Sequence, residues 1–300
     1  MENNPLASDA WDDLIPAFET PPTRVVSLIP SVTETLFDLG LGGTLAGCTD
    51  FCTEPAQGVA KLARVGGPGD ARLDEILALD PQLVVASREE NNPLLVEDLR
   101  KRGIAVWVIF PRTVHHAFEI LWGMAHLFAS ETAVYRILTL EPAYDWTHMA
   151  MSNNPSWRYF CPIWLAGEGE EPRRWMTINQ DTYTSDLLKA LGGINVFAER
   201  TRTPAGDTGL GERYPWVEEE EVRLAQPDVI LLPSEPYAFG DAHRSLAAEA
   251  FIDTPAAQQG RIICLDGSLI TWFGTRLARA LDELPALLSF PGQGEEISRS

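Results

Sequence analysis

The sequence predicts an α/β protein: two lobes with parallel sheets, joined by a single long helix. Three observations predict it. Short β-branched runs alternate with helical patterns, the second half of the chain echoes the first, and a middle stretch carries no strand signal.

The strands come first. In the first half they are expected at "RVVSLI" (24–29), "TLAGC" (44–48), "QLVVAS" (82–87) and "AVWVIF" (105–110). In the second half they are expected at "WMTI" (175–178), "NVF" (195–197), "DVILLP" (228–233) and "RIICL" (261–265). Runs apolar at nearly every position suit a sheet covered by helices on both faces. The echo is carried by "LDEILALDPQLVVAS" (73–87) and "EEEVRLAQPDVILLP" (219–233), each an acidic helix start, a helix, a proline and a buried strand. An acid stands seven positions before each proline, Asp74 before Pro81 and Glu220 before Pro227. Proline ends the helix in both, because its ring bars the residue before it from the helical conformation. Upstream, "TETLFDLGLGG" (33–43) is matched by "TSDLLKALGG" (184–193), each a helix closed by glycine.

Between the halves, residues 113–152 read as helix. "TVHHAFEILWGMAHLFA" sets Val114, Phe118, Leu121, Trp122, Ala125 and Phe128 on one face. Ser130 and Glu131 open a second helix running to about Met151, roughly 33 Å if continuous, with Pro142 as a kink point. These patterns divide the chain into a loose arm over 1–22, a first lobe over 23–129, a connecting helix over 130–152 and a second lobe over 153–300.

Composition narrows the function. The 300 residues carry a formal charge of −20, with 23 basic residues against 43 acids and no basic block. A phosphate-backbone partner is therefore not expected. The acid runs "WVEEEEV" (216–222) and "GEGEEP" (167–172) read as solvated helix starts and loops. No stretch approaches the ~20 apolar residues that cross a membrane. The first 22 residues are acidic and proline-rich rather than basic and then apolar, so a cytoplasmic protein is expected unless a leader has been removed. The expected state is a monomer.

Nucleotide and hydrolase chemistries lack their motifs. "GGPGD" (66–70) has no Gly-Lys-Ser/Thr ending, and neither G-x-G-x-x-G nor G-x-S-x-G follows a strand. His115, His116, His126, His148 and His243 show no metal-ligand spacing, so no metal site is expected. The C-x3-C of "CTDFC", Cys48 and Cys52, suits either a redox or metal pair or two small loop residues. In "SLIPSVTETLFDLGL" (27–41), Ser31 fits an N-cap whose backbone N–H Glu34 reaches back to bond. The turn at Pro30 is also where an open α/β sheet binds ligands.

What remains is aromatic. Phe51, Trp164, Tyr183, Tyr237, Phe239, Trp272 and Phe273 fall in expected loops, a set suited to a large, flat, partly apolar ligand. An enzyme is the alternative, with Glu34, Asp50, Asp181 or Asp266 as acid–base groups on a tetrapyrrole or chelated metal. An acidic interaction scaffold is a further one.

These segments, with "LLKALGGINVF" and the terminal "WFGTRLARALDEL", resemble the substrate-binding proteins of cobalamin and iron-siderophore ABC importers over residues 23–290. The resemblance implies two Rossmann-like lobes on one backbone helix and non-catalytic binding of a corrinoid or other metal-chelate in a cleft between the lobes. No covalent cofactor is implied. The cobalamin-binding branch is the most similar. It implies ligand contact by Phe51, with Trp164, Tyr237, Phe239 and Trp272 as replacements from the other lobe for missing aromatics. By position, the turn at Pro30, with Ser31 and Glu34, is expected to line the first-lobe wall, and the turn near Asp181 and Tyr183 to face it, Phe273 lying beside Trp272. The resemblance also implies docking of Asp74 and Glu220 onto an ABC permease, if the protein is exported. Pro68 and Ser87 stand where that branch has two tryptophans.

Overall fold

The computed structural model describes residues 15–154, 156–167, 173–201 and 212–289. The arm expected over 1–22 therefore lies outside the described residues as far as residue 14, as do residues 168–172 of the "GEGEEP" run. Within the described residues there are two compact units. One runs to Pro111 and adds His115–Glu141 and Phe273–Arg276; the other holds Arg112–Val114, Pro142–Trp272 and the residues from Leu277.

The first unit alternates strand and helix: β1 (Val25–Ser27), α1 (Pro30–Asp38), β2 (Leu45–Cys48), α2 (Ala56–Val59), β3 (Ala63–Arg64), α3 (Leu73–Ala78), β4 (Leu83–Ser87), α4 (Pro93–Lys101) and β5 (Ala105–Ile109). Its five strands form one parallel sheet in the order β3-β2-β1-β4-β5. Every residue of β4 is buried, as a sheet covered on both faces demands. Val26, Val84 and Val108 carry the core of one face, meeting Ile76 of α3 and Leu95 and Leu99 of α4. Asn92 caps α4 by accepting a hydrogen bond from the Leu94 N–H, and Pro93 supplies a preset first helical residue.

Two helices follow, α5 (Val114–Leu127) and α6 (Glu131–Met151). The 21 residues of α6 match the long helix expected from Ser130 onward, and Pro142 lies inside it.

The second unit contains β6 (Trp157–Phe160), β7 (Pro162–Ala166), β8 (Arg174–Thr177), α7 (Tyr183–Ala190), β9 (Gly193–Asn195), β10 (Trp216–Glu218), α8 (Glu219–Ala225), β11 (Val229–Pro233), α9 (Asp241–Ala250), α10 (Pro255–Gln258), β12 (Ile262–Leu265), α11 (Ser268–Thr271) and α12 (Leu277–Leu287). Four strands make a parallel sheet, β12-β11-β6-β9. The remaining three, β10-β8-β7, make an antiparallel sheet that a purely parallel reading does not include. The acid run at 216–222 is thus partly strand. It also starts α8, where the Glu221 carboxylate accepts the Glu218 N–H at 2.9 Å and pairs with Arg200 at 2.6 Å.

The internal echo survives in backbone detail. Asp80 and Gln226, each directly before its proline, both adopt the left-handed conformation, with φ of 45° and 47°.

Candidate functional site

In the first sheet the strand order reverses between β1 and β4, and a crevice opens outside the carboxyl ends of strands at such a point. One buried side chain organises this rim. Asn91 accepts from the Ser87 N–H at 2.6 Å and donates to the Leu28 carbonyl at 3.3 Å and the Pro68 carbonyl at 2.8 Å. It therefore ties together the ends of β1, β3 and β4. Pro68 and Ser87, the two positions where the resemblance leads one to expect tryptophans, are both fixed by this one amide.

The turn into α1 differs from the expected capping box. Ile29, not Ser31, is the N-cap, and no side chain caps the helix. The physical reason is Pro30. It holds Ile29 extended (φ −128°, ψ 121°) and presets the first helical residue itself, so Ser31 falls one position inside the helix. Glu34, which the capping box would have turned back toward Ser31, instead meets Arg276. The guanidinium reaches its two carboxylate oxygens at 2.8 and 2.6 Å, and both side chains are largely buried. Burial pushes the Glu34 carboxyl above the usual carboxylate range, outweighing the pull of Arg276 in the other direction. The neighbouring Thr275 donates its N–H to Thr35 Oγ1 at 3.2 Å and its hydroxyl to Asp38 at 2.8 Å. Gly274 makes this approach achievable: its φ is +93°, and a Cβ there would stand 2.2 Å from Thr35 Oγ1.

Phe51 follows β2 and is 64% exposed. Its turn is pinned: the Asp50 N–H donates to the Gly66 carbonyl at 2.9 Å, and a Cβ on Gly67 would meet the Phe51 ring at 3.3 Å. Arg88, after β4, lays its guanidinium 5.0 Å from the Phe110 ring centroid.

In the second unit the parallel order reverses between β6 and β11. Trp164 sits on β7 rather than in a loop and is 45% exposed. It meets Tyr237 edge-on at 5.4 Å, Tyr237 lies 4.6 Å from Phe239, and Phe239 stacks on the fully buried Trp175 at 6.1 Å. A continuous aromatic column thus runs from core to surface, and only its outer end is exposed. The expectation of an exposed set therefore fails for three members. Phe239 (5%), Tyr183 (5%) and Phe273 (8%) are buried: Phe239 packs on Trp175, and Tyr183 opens α7 rather than lying in a loop. Trp272 is half-buried. Burial also raises the Tyr183 hydroxyl pKa well above its ordinary value. Asp181 is exposed and lines a polar cavity of about 420 Å³ along α7 and β9, together with Ser185, Asp186, Lys189 and Asn195.

Of the four carboxylates proposed as acid–base groups, Glu34 and Asp266 are engaged. Asp266 accepts from the Ser268 N–H and hydroxyl and pairs with Arg279 at 3.2 Å. Among the described residues no three His, Cys, Asp or Glu side chains gather as a metal would require. Asp74 and Glu220 both lie exposed in the first turns of α3 and α8, and Glu220 pairs with Arg223 at 3.2 Å. Asn91, Arg276 and Glu235, whose carboxylate accepts from the Thr271 hydroxyl at 2.6 Å, were not singled out from sequence. The Asn92-Pro93 helix start beside Asn91 was the one available signal.

A family model described as periplasmic binding protein matches residues 25–269. The chain is 25% identical over 272 residues to the vitamin B12-binding protein of Vibrio cholerae serotype O1, covering 90% of this chain and 89% of that one. It is 27% identical over 219 residues to the vitamin B12-binding protein of Photorhabdus laumondii, covering 70% of each. Two solved structures share the fold. The periplasmic vitamin B12 binding protein of Vibrio cholerae superposes with a TM-score of 0.73 at 23% identity, covering 89% of this chain and 97% of that one. The periplasmic heme-binding protein from Roseiflexus in its apo form gives 0.70 at 24% identity, covering 88% and 97%. No helix among the described residues is long and apolar enough to cross a membrane.

Proposed function

The chain belongs to the periplasmic binding protein family, and from that premise we propose that it binds a corrinoid or a related metal-chelate without transforming it. The observation that carries this reading is Phe51: a large aromatic ring, mostly exposed yet pinned at the carboxyl rim of a parallel sheet. An exposed ring on a turn whose backbone is tethered offers a flat apolar contact. Trp164, backed by Tyr237 and Phe239, offers a second. Relatives named for vitamin B12 and heme agree in ligand class: a metal held in a broad macrocycle. The ligand is cargo, not a covalent cofactor.

Against the enzymatic alternative, Glu34 is the carboxylate that burial raises, and Arg276 occupies both of its oxygens. Under this proposal residues 23–129 and 153–300 are the two lobes, residues 130–152 connect them, and the protein works as a monomer. Pro30, Ser31 and Glu34 shape the wall behind Phe51, while Asp181, Tyr183, Trp272 and Phe273 act as supporting or peripheral residues. The reading puts the function outside the cytoplasm, in keeping with the solved relatives named as periplasmic, and the cytoplasmic location expected from the first 22 residues finds no support among them. Asp74 and Glu220, exposed at two helix starts, are the contacts offered to an ABC permease.

Thermal unfolding tests the reading with cyanocobalamin, haemin and a ferric siderophore as probes. The true ligand class stabilises the protein by about 2.7 kcal/mol at a hundredfold excess over Kd. Unchanged melting with all three, at concentrations far above micromolar, would sink it.

A further inference from the structure

Cys48 and Cys52 close one turn at the end of β2, and both are buried and unpaired by disulfides. Their surroundings are unusually polar for a buried thiol pair. Thr33 Oγ1 lies 3.1 Å and Thr49 Oγ1 3.2 Å from Cys52 Sγ. Arg64 donates to Cys48 Sγ at 3.4 Å and, from the same nitrogen, to the Thr49 carbonyl at 2.6 Å and the Cys52 carbonyl at 2.9 Å. The pair is thus flanked by a cation beside Cys48 and two hydroxyls beside Cys52, surroundings that favour a thiolate over those of an apolar core. Thr33 also reaches the Ile29 carbonyl at 3.1 Å, so its hydroxyl can give its proton to that carbonyl or turn it to Cys52.

We propose that Cys48 and Cys52 form a two-electron redox site, a reversible disulfide that closes the turn carrying Phe51. Geometry assigns the roles. Cys52, with the Thr33 and Thr49 hydroxyls on its sulfur, is the attacking sulfur, and Cys48, in the same turn, is the resolving one. Burial selects a small oxidant, a hydroperoxide such as hydrogen peroxide. The Cys52 thiolate attacks one peroxide oxygen, the O–O bond breaks, hydroxide leaves, and Cys52 becomes a sulfenic acid. Cys48 then attacks Cys52 Sγ, and the S–O bond breaks. The departing hydroxide takes the Cys48 proton and leaves as water. Two thiols lose two electrons and one peroxide becomes two waters. A thiol reductant reverses the bond by exchange.

The disulfide draws the two ends of the turn together and re-aims Phe51 between them. Its effect on ligand rests on the binding function proposed above, whereas the disulfide itself does not.

The test uses the full chain, reduced, freed of reductant and treated with stoichiometric hydrogen peroxide. Remaining thiols are then alkylated in denaturant and the peptides mapped by mass spectrometry. The expected result is a Cys48–Cys52 cross-link that a thiol reductant removes, while Cys161 and Cys264 stay alkylatable. Cys161 is a fitting internal control, since burial pushes its thiol up to about 12. In Cys48→Ser the oxidation stops at a Cys52 sulfenic acid that dimedone traps. Wild type alone decides the pairing, so the outcome does not depend on the variant folding. Unchanged alkylation of Cys48 and Cys52, oxidation of Cys161 or Cys264 first, or sulfinic acid at Cys52 without a cross-link would each overturn the proposal. In a second arm, the oxidised chain binds cyanocobalamin about threefold to tenfold more weakly than the reduced chain. If neither state binds cyanocobalamin, haemin or a ferric siderophore, the binding reading fails while the peptide map still decides the disulfide.

Discussion

The two parallel sheets present their carboxyl ends by different physical means. In the first unit one buried amide, Asn91, fixes three strand ends by hydrogen bonds, and a single aromatic stands exposed beside them. In the second unit packed rings, Trp175, Phe239, Tyr237 and Trp164, lead from the core to the surface. Similar topology thus supports either a polar hub or an aromatic column. A hub concentrates its effect in directional bonds at one residue, whereas a column spreads it over many contacts and is anchored at its buried end.

The largest expected effect breaks the column. Trp175→Ala removes a fully buried ring that touches Phe160, Phe239 and Phe251, and should cost about 3–5 kcal/mol in urea unfolding. A cost under about 1 kcal/mol would show that the column carries no structural load.

Next is the ion pair behind the first rim. Arg276→Leu leaves Glu34 buried without its partner and should cost about 3 kcal/mol at neutral pH. The pH dependence has a definite sign. The folded-state pKa of Glu34 already lies above its ordinary value, and loss of Arg276 raises it further. The folded state then binds the extra proton, so stability falls as pH rises from the unfolded pKa through the folded one. The variant should therefore recover part of its loss toward pH 5; a loss that deepens there would contradict the assignment.

Asn91→Ala tests the hub itself. Three bonds disappear and the Ser87 N–H loses a buried acceptor, for an expected cost of about 2 kcal/mol. Ligand affinity should fall as well, because Pro68 and Ser87 lose their common tie. The smallest effect on stability belongs to the exposed ring ends. Phe51→Ala and Trp164→Ala should each change stability by less than about 0.5 kcal/mol while weakening ligand binding about tenfold.

The parts legible in the sequence were those whose cause is local. β4 and β11 announce themselves because all five residues of each are buried, which leaves an unbroken apolar run. The helix–proline–strand echo was visible because one backbone device, a left-handed residue before proline, recurs at Asp80 and Gln226. Four strands were missed for equally local reasons. β3 has two residues, β7 begins with proline and turns Trp164 outward, β10 ends in an acid run, and β6 lies where the connecting helix has just ended. At the site, Phe51 could be picked out from its place after a strand. Ser31 misled because Pro30 moved the helix start two residues earlier, making Ile29 the N-cap. Arg276 left no local trace, and the helix start beside Asn91 says nothing of its carbonyl partners: these contacts span 242, 63 and 23 positions, and no spacing rule spans such separations.

The central claim is that a metal-chelate ligand is held against exposed rings. A titration with cyanocobalamin, followed by its visible absorption, tests this most directly on the full chain and on Phe51→Ala. Saturable spectral change at micromolar ligand or below, weakened about tenfold in the variant, is the result expected. A wild-type chain that leaves this spectrum and those of haemin and a ferric siderophore unchanged, or a variant that binds as tightly as wild type, would contradict it.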